Sequence, residues 1–295
     1  MDPVCCFDVG GTAIKTGVID SQGRLLFQES IPTPQNLGAE GIVTAICKEV
    51  EKIRNLENFS AISVSTAGIV EPKEGKILYA NERIPHYTGC QLSDTITQRT
   101  ALPCYVENDV KAAALGEMWK GSGQNLDHFL CLTIGTGIGL AIVTEGKIYR
   151  GNSQLACYGG EMLMGTDKYE NFASTFSLLA LYQKECGKHY SGKEFFLHLS
   201  QEQPLAKKLF TEYIGHLVTG ILNFVYLFDP GTVLLGGGIS EKNETLLCSV
   251  REEFYKRAIP IFAENTKINL TSLGNLAGLY GAAAIYYEKE NDDFV

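Results

Sequence analysis

No apolar run in this chain approaches the roughly 18 residues that a bilayer-spanning helix needs, so none is expected. The opening Met1-Asp2-Pro3-Val4-Cys5 lacks both the basic region and the apolar stretch of a secretion signal, which points to the cytoplasm. Paired cysteines are missing too. The nine cysteines form no Cys-x-x-Cys or Cys-x-Cys pair, which excludes a disulfide framework or zinc knuckle and predicts reduced, mostly buried thiols. Cys186 and His189 stand three apart but have no further partner, a poor metal site. Positive charge is also short. With 25 Lys and Arg against 34 Asp and Glu, the formal net charge of −9 speaks against nucleic acid or an anionic membrane as partner. ATP stays compatible, because backbone amides, helix N-termini and Mg²⁺ hold phosphates without a basic surface.

What is present is ordinary globular material, 45% hydrophobic and 20% charged, and 295 residues suit one large or two medium domains. Short apolar runs at Val4 to Phe7, Ile14 to Ile19 and Leu25 to Ile31 read as strands separated by glycine-bearing turns. Ile42, Ala45, Ile46, Val50 and Ile53 fall at helical spacing. Strands follow at Ala61 to Ser65 and Pro103 to Val106, with an Ala-rich helix from near Asp109. The second half repeats the opening: strands at His128 to Ile134, Leu140 to Val143 and Lys147 to Tyr149, with Phe7-Asp8-Val9-Gly10-Gly11-Thr12 matching Leu132-Thr133-Ile134-Gly135-Thr136-Gly137. A helix over Leu205 to Phe228 stops at Asp229-Pro230-Gly231 and feeds a strand at Thr232 to Leu235; the last helix runs from Ala277 through Tyr287. The duplication predicts two α/β domains of one design facing each other. Their expected bounds are 1–117, completed by a C-terminal helix at 281–295, and 118–280.

Three loops share one arrangement, an apolar strand followed by glycines with Thr or Ser: Asp8 to Thr12, Gly135 to Gly139 and Gly236 to Ser240. Glycine lets backbone N–H groups approach a phosphate closely, and the hydroxyl adds a donor. Asp8, at a strand end, is placed to hold Mg²⁺ through water, and Lys15 can reach the same cluster. Gly135-Thr136-Gly137 is not a dinucleotide fingerprint, since a strand rather than a helix follows it, and no G-x-x-x-x-G-K-[ST] occurs. A single such loop is more often only a turn; three in equivalent places of a repeat carry the phosphate reading.

Glu107-Asn108-Asp109 joins a strand to the Ala-rich helix. A carboxylate there can accept the proton of an attacking hydroxyl, with Asn108 bonding other hydroxyls of a sugar; the alternative for Asp109 is a helix N-cap. Glu161, in Tyr158-Gly159-Gly160-Glu161-Met162, is a candidate for two vicinal hydroxyls, and Asn81 a further polar candidate or a turn residue.

In family order, Asp8 to Thr12, Ala67-Gly68, Glu107 to Asp109, Gly135 to Gly139, Gly160-Glu161 and Gly236 to Gly238 resemble the ROK family of sugar kinases and repressors over essentially the whole chain. The resemblance implies two duplicated actin/hexokinase-like (ribonuclease H-like) domains with a cleft between them. It implies Asp109 as general base, with Gly68, Asn81, Asn108 and Glu161 on the sugar. Asp8, Gly10, Gly11, Thr12, Thr136, Gly137, Gly237 and Gly238 would surround Mg-ATP. Many members hold a structural zinc through a Cys-x-Cys-Gly-x-x-Gly-Cys run and a histidine after the glutamate. Here Met164 takes the histidine position and Gly165 to Asn171 holds no cysteine, so no zinc is expected. The zinc-less pattern is most similar to bacterial β-glucoside kinases, which phosphorylate the 6-hydroxyl of the non-reducing glucose, with zinc-less N-acetylmannosamine kinases and glucokinases as rivals. A pocket left open beyond C1, with Met164 and Tyr158 facing a second ring, follows as an expectation. A homodimer is compatible. A DNA-binding regulator would need a helix-turn-helix domain ahead of Val4, where only three residues stand, and a sugar-binding module without catalysis should have lost Asp109 or the phosphate loops.

Overall fold

The computed structural model describes residues 1–81 and 84–290. They fold as two compact units: residues 1–125 with 150–156 and 276–290, and residues 126–149 with 157–275, as far as these are described.

In the first unit β1 (Val4–Val9), β2 (Ala13–Ile19) and β3 (Leu25–Pro32) form an antiparallel ladder. The helix α1 (Gly38–Ile53) leads to β4 (Ala61–Thr66), a small hairpin β5 (Ile69–Glu71) and β6 (Lys76–Tyr79), helix α2 (Leu92–Thr100) and β7 (Cys104–Asn108). The sheet order is β3-β2-β1-β4-β7, with β4 and β7 parallel to β1. All six residues of central β4 are buried, whereas edge strand β3 alternates half-buried and exposed positions, as the period of a strand with one wet side requires. On β1 the same period splits the side chains. Cys5, Phe7 and Val9 pack with Ile42, Ile46 and Val50 of α1, while Val4 and Cys6 pack with Leu279, Ala282 and Tyr287 of the C-terminal helix Ala277–Glu290. Helix α3 (Asp109–Lys120) follows β7 directly. It meets the C-terminal helix backbone to backbone: a Cβ on Gly116 would stand 2.6 Å from the Ala277 carbonyl oxygen, and one on Gly281 would strike the Ala112 carbonyl.

The second unit repeats the plan. Its β8 (Phe129–Ile134), β9 (Ile138–Thr144) and β10 (Lys147–Ile148) form the antiparallel ladder. A two-residue hairpin, β11 (Leu163–Met164) and β12 (Asp167–Lys168), precedes the short helix α4 (Glu170–Ala173), then α5 (Thr175–Cys186), α6 (Gly192–Ser200) and α7 (Pro204–Phe228). Then come β13 (Thr232–Gly236), α8 (Glu244–Arg257) and β14 (Lys267–Leu270), in the sheet order β10-β9-β8-β13-β14. Position by position the pairing senses equal those of the first sheet. Pro204 opens α7 at a position that needs no N–H, and Asp229, at φ 41°, turns the chain out of it before Pro230. Leu130, Leu132 and Ile134 of β8 pack with residues of α5 to α8 in the core of this unit. None of the nine cysteines is in a disulfide; Cys5, Cys6, Cys104 and Cys131 are buried, and Cys186 and Cys248 are exposed.

Candidate active site

Parallel and antiparallel registers bring three polar residues of the first unit together, since Asp8 pairs with Lys15 on β2 and with Ser65 on β4. Ser65 Oγ donates to Asp8 Oδ1 at 3.0 Å and Lys15 Nζ to Oδ2 at 3.1 Å. A Cβ at position 278 would strike this carboxylate, so Gly278 leaves the room in which it sits. A carboxylate with one protein donor on each oxygen keeps lone pairs for the water shell of Mg²⁺, an ion that sheds water reluctantly. Beyond β1, Gly10 N–H donates to Ala13 O at 3.0 Å and Thr33 Oγ to Gly10 O at 2.7 Å, fixing a loop whose Gly11 and Thr12 are exposed.

The turn from β7 into α3 is organised by Asn108, which is the N-cap of the helix; Asp109 is its first residue. Asn108 Oδ1 accepts the N–H groups of Val110 and Lys111, and its Nδ2 donates to Gly68 O at 3.0 Å and to Asp109 Oδ1 at 2.8 Å. The capping alternative therefore passes to Asn108, and Asp109 is held rather than holding. Asp109 Oδ1 also accepts Val110 N–H at 2.9 Å, so the bonds converge on one oxygen. Burial first, and the Asp8 charge second, push the Asp109 carboxyl from 3.8 to about 6, against the pull of these hydrogen bonds. Gly68, at φ +106°, has its Cα 's missing Cβ direction closed by Tyr79 O at 2.8 Å, which ties it to the strand end that leads to the exposed Asn81.

In the second unit Thr136 and Gly238 line a cavity of about 1330 Å³. Gly237, at φ +91°, lies where a Cβ would strike the Ile134 backbone, so the loops after β8 and β13 meet. Ser240 N–H and Phe176 N–H donate to Gly237 O and Gly135 O. The far walls were not anticipated: Phe176 and Leu179 of α5, Phe196 of α6, and Glu241 and Lys242 ahead of α8. The apolar side chains Phe176, Leu179 and Phe196 beside a glycine loop suit a flat base, and the loop and Lys242 a phosphate chain. The signal that locates α6 was readable, because Ser191-Gly192-Lys193-Glu194 is a capping box.

Glu161 stands on a turn of 3₁₀ helix, Gly159–Glu161, in an ion pair with Lys168 at 2.7 Å. Glu170, unremarked in the sequence, connects that turn to the glycine loop between β8 and β9: its Oε2 accepts Ile138 N–H at 3.3 Å, and Cβ atoms at Gly137 and Gly160 would both crowd it. Met164 is half-buried against the core of the unit, so the exposed apolar side chain beside Glu161 is Leu163, 74% accessible.

The sequence profile of the ROK family matches residues 4–289. A Clostridium perfringens protein without an assigned activity is 37% identical, covering 96% of this chain and 97% of its own. The β-glucoside kinase of Listeria monocytogenes is 32% identical over 98% of both chains. The crystal structure of a Streptomyces griseus ROK glucokinase in complex with glucose and AMPPNP superposes with a TM-score of 0.84 at 31% identity, covering 95% of this chain and 98% of that one. Family profile, relatives and repeated sheet order agree: the chain belongs to the ROK family.

Proposed function

We propose that this protein is an ATP-dependent sugar kinase that phosphorylates the 6-hydroxyl of the non-reducing glucose of a β-glucoside such as cellobiose. The observation that carries the kinase reading is Asp109, a carboxylate fixed through one oxygen at the start of α3 with its pKa brought to about 6. A base so tuned can take the proton as the sugar oxygen attacks the γ-phosphorus and the bond to the ADP oxygen breaks. Gly68, Asn81, Asn108 and Glu161 are assigned to the sugar, Glu161 oriented by Lys168; Asn108, whose amide bonds are all made within the free protein, reaches a sugar hydroxyl by exchanging the Gly68 carbonyl for it. Asp8, with Lys15, is assigned to the water shell of Mg²⁺, which when bound neutralises charge on the phosphate oxygens. Gly10, Gly11 and Thr12 are assigned to phosphate, and Thr136, Gly137, Gly237 and Gly238 to the nucleotide. The β-glucoside preference rests on the Listeria relative's name and on Leu163, whose exposed side chain offers an apolar face to a second ring.

ADP release coupled to a reporter, measured with glucose, N-acetylmannosamine, cellobiose and an aryl β-glucoside, tests both levels. The β-glucosides should exceed free glucose in kcat/KM, because the added ring contributes binding in the transition state. Preference for N-acetylmannosamine or free glucose removes the β-glucoside reading. ADP release with none of the sugars removes the kinase reading as well.

A further inference from the structure

Residues 150–156 pack as part of the first unit although the chain on either side of them belongs to the second. Two buried polar contacts hold this segment, and they grip the turn that carries Asp109 from both sides. Ahead of it, Arg150 Nη1 lies 2.6 Å from Glu107 Oε2, and the Glu107 side chain is 1% exposed. Behind it, Lys111, 2% exposed, donates from Nζ to Gln154 O at 3.2 Å. Gln154 adopts φ 63°, a conformation uncommon for a residue with a side chain, and its carbonyl is the one that Lys111 meets.

The first contact continues inward. Glu107 Oε1 accepts Asn108 N–H at 2.8 Å, and Asn108 Nδ2 donates to Asp109 Oδ1 at 2.8 Å. Arg150, Glu107, Asn108 and Asp109 thus stand in one series, an ion pair that lacks hydrogen-bond geometry followed by two hydrogen bonds, and Asn108 has all of its amide bonds committed within the free protein. The Arg150 guanidinium beside Oε2 fixes the side chain whose other oxygen, Oε1, holds the Asn108 N–H. We propose that Arg150 is a positioning residue for phosphoryl transfer, acting through Glu107 and Asn108 to set the orientation of the Asp109 carboxylate. Resting on the kinase reading above, the proposal adds a residue far along the chain that touches no reactant. Misplacement of a reacting group by an ångström lowers rate while leaving binding nearly intact.

Three variants test it. In Arg150→Met, kcat should fall about 10- to 100-fold with the sugar KM changed less than about threefold. Arg150→Lys should recover most of kcat, because an ammonium can stand where Arg150 Nη1 meets Glu107 Oε2. Glu107→Gln keeps the shape and the acceptor oxygen but not the charge, and guards against a failure of Arg150→Met to fold; it should also lose kcat. A second measurement needs no activity. Hydrogen exchange of the peptide spanning residues 105–112 should quicken at least about tenfold in Arg150→Met and stay near wild type in Arg150→Lys. An active wild type whose folded variants keep full kcat overturns the positioning role, as does unchanged exchange even if no sugar is phosphorylated. A wild type without sugar-dependent ADP release, but with the expected exchange pattern, sinks the kinase reading and keeps the anchor.

Discussion

Asp109 occupies the first position of α3, where a negative charge is favoured by the helix dipole, yet burial and Asp8 work the other way. The balance has two measurable consequences. A general base must be deprotonated, so kcat/KM should fall as pH drops through about 6, the value to which Asp109 is raised. A pH–rate profile with an acid limb near 4 would indicate an unperturbed carboxylate and contradict this. The second consequence concerns stability. Because the folded pKa lies above the unfolded one, the residue's stabilising contribution is fully present below about 4 and is lost as pH rises through about 6. Asp109→Asn should therefore cut turnover at least about 100-fold while raising stability at pH 7 by about 1–3 kcal/mol. Denaturant titrations at pH 7 and pH 4 check it: the gain should be absent at the lower pH. Near-normal turnover in this variant would leave Asp109 without a catalytic role.

At the scale of elements, the C-terminal helix does more than cover a sheet face. Its glycines let it press against α3 at Gly281 and stand over Asp8 at Gly278. Gly278→Ala puts a methyl group against the Asp8 carboxylate, and overpacking of this kind disturbs stability by about 1–3 kcal/mol. The expected signature is a several-fold rise in KM for Mg-ATP. Gly215→Ala in α7, where the new carbon meets nothing within 4 Å apart from the helix's own backbone, serves as the contrast and should stabilise by up to about 1 kcal/mol with kinetics unchanged. Equal kinetics in both variants would show that Asp8 tolerates the crowding. Most elements around the site were legible because their signals are local: the short apolar runs of β1 to β3, the stop at Asp229-Pro230-Gly231, and the glycine loops. The hairpin of β5 and β6 and helix α5 were not. The pair β5 and β6 is too short to show alternation, and α5 carries Phe176 and Leu181 exposed beside buried Leu178, which blurs its amphipathic face.

The whole molecule shows the same unevenness. Its duplication could be read from sequence because strand-loop-strand repeats preserve glycine spacing, and the identical sheet orders follow from it. Which distant residues complete each site could not be read that way. Arg150 reaches Glu107 and Glu170 reaches Ile138 only through tertiary packing, which leaves no local spacing to detect. The cavity of the second unit gives a last test at this scale. A ligand that binds only the folded chain stabilises it by about 2.7 kcal/mol at one hundred times its dissociation constant. Phe176 lines the cavity and is 59% accessible, so Phe176→Ala removes a wall while giving up little burial in the free protein. The variant should melt near wild type without nucleotide. With a non-hydrolysable ATP analogue and Mg²⁺ its rise in midpoint should shrink, by an amount matching a loss of about 1.4 kcal/mol for each tenfold in affinity. An undiminished rise in Phe176→Ala would place the nucleotide away from this cavity; a lowered midpoint without ligand would make Phe176 a structural residue instead.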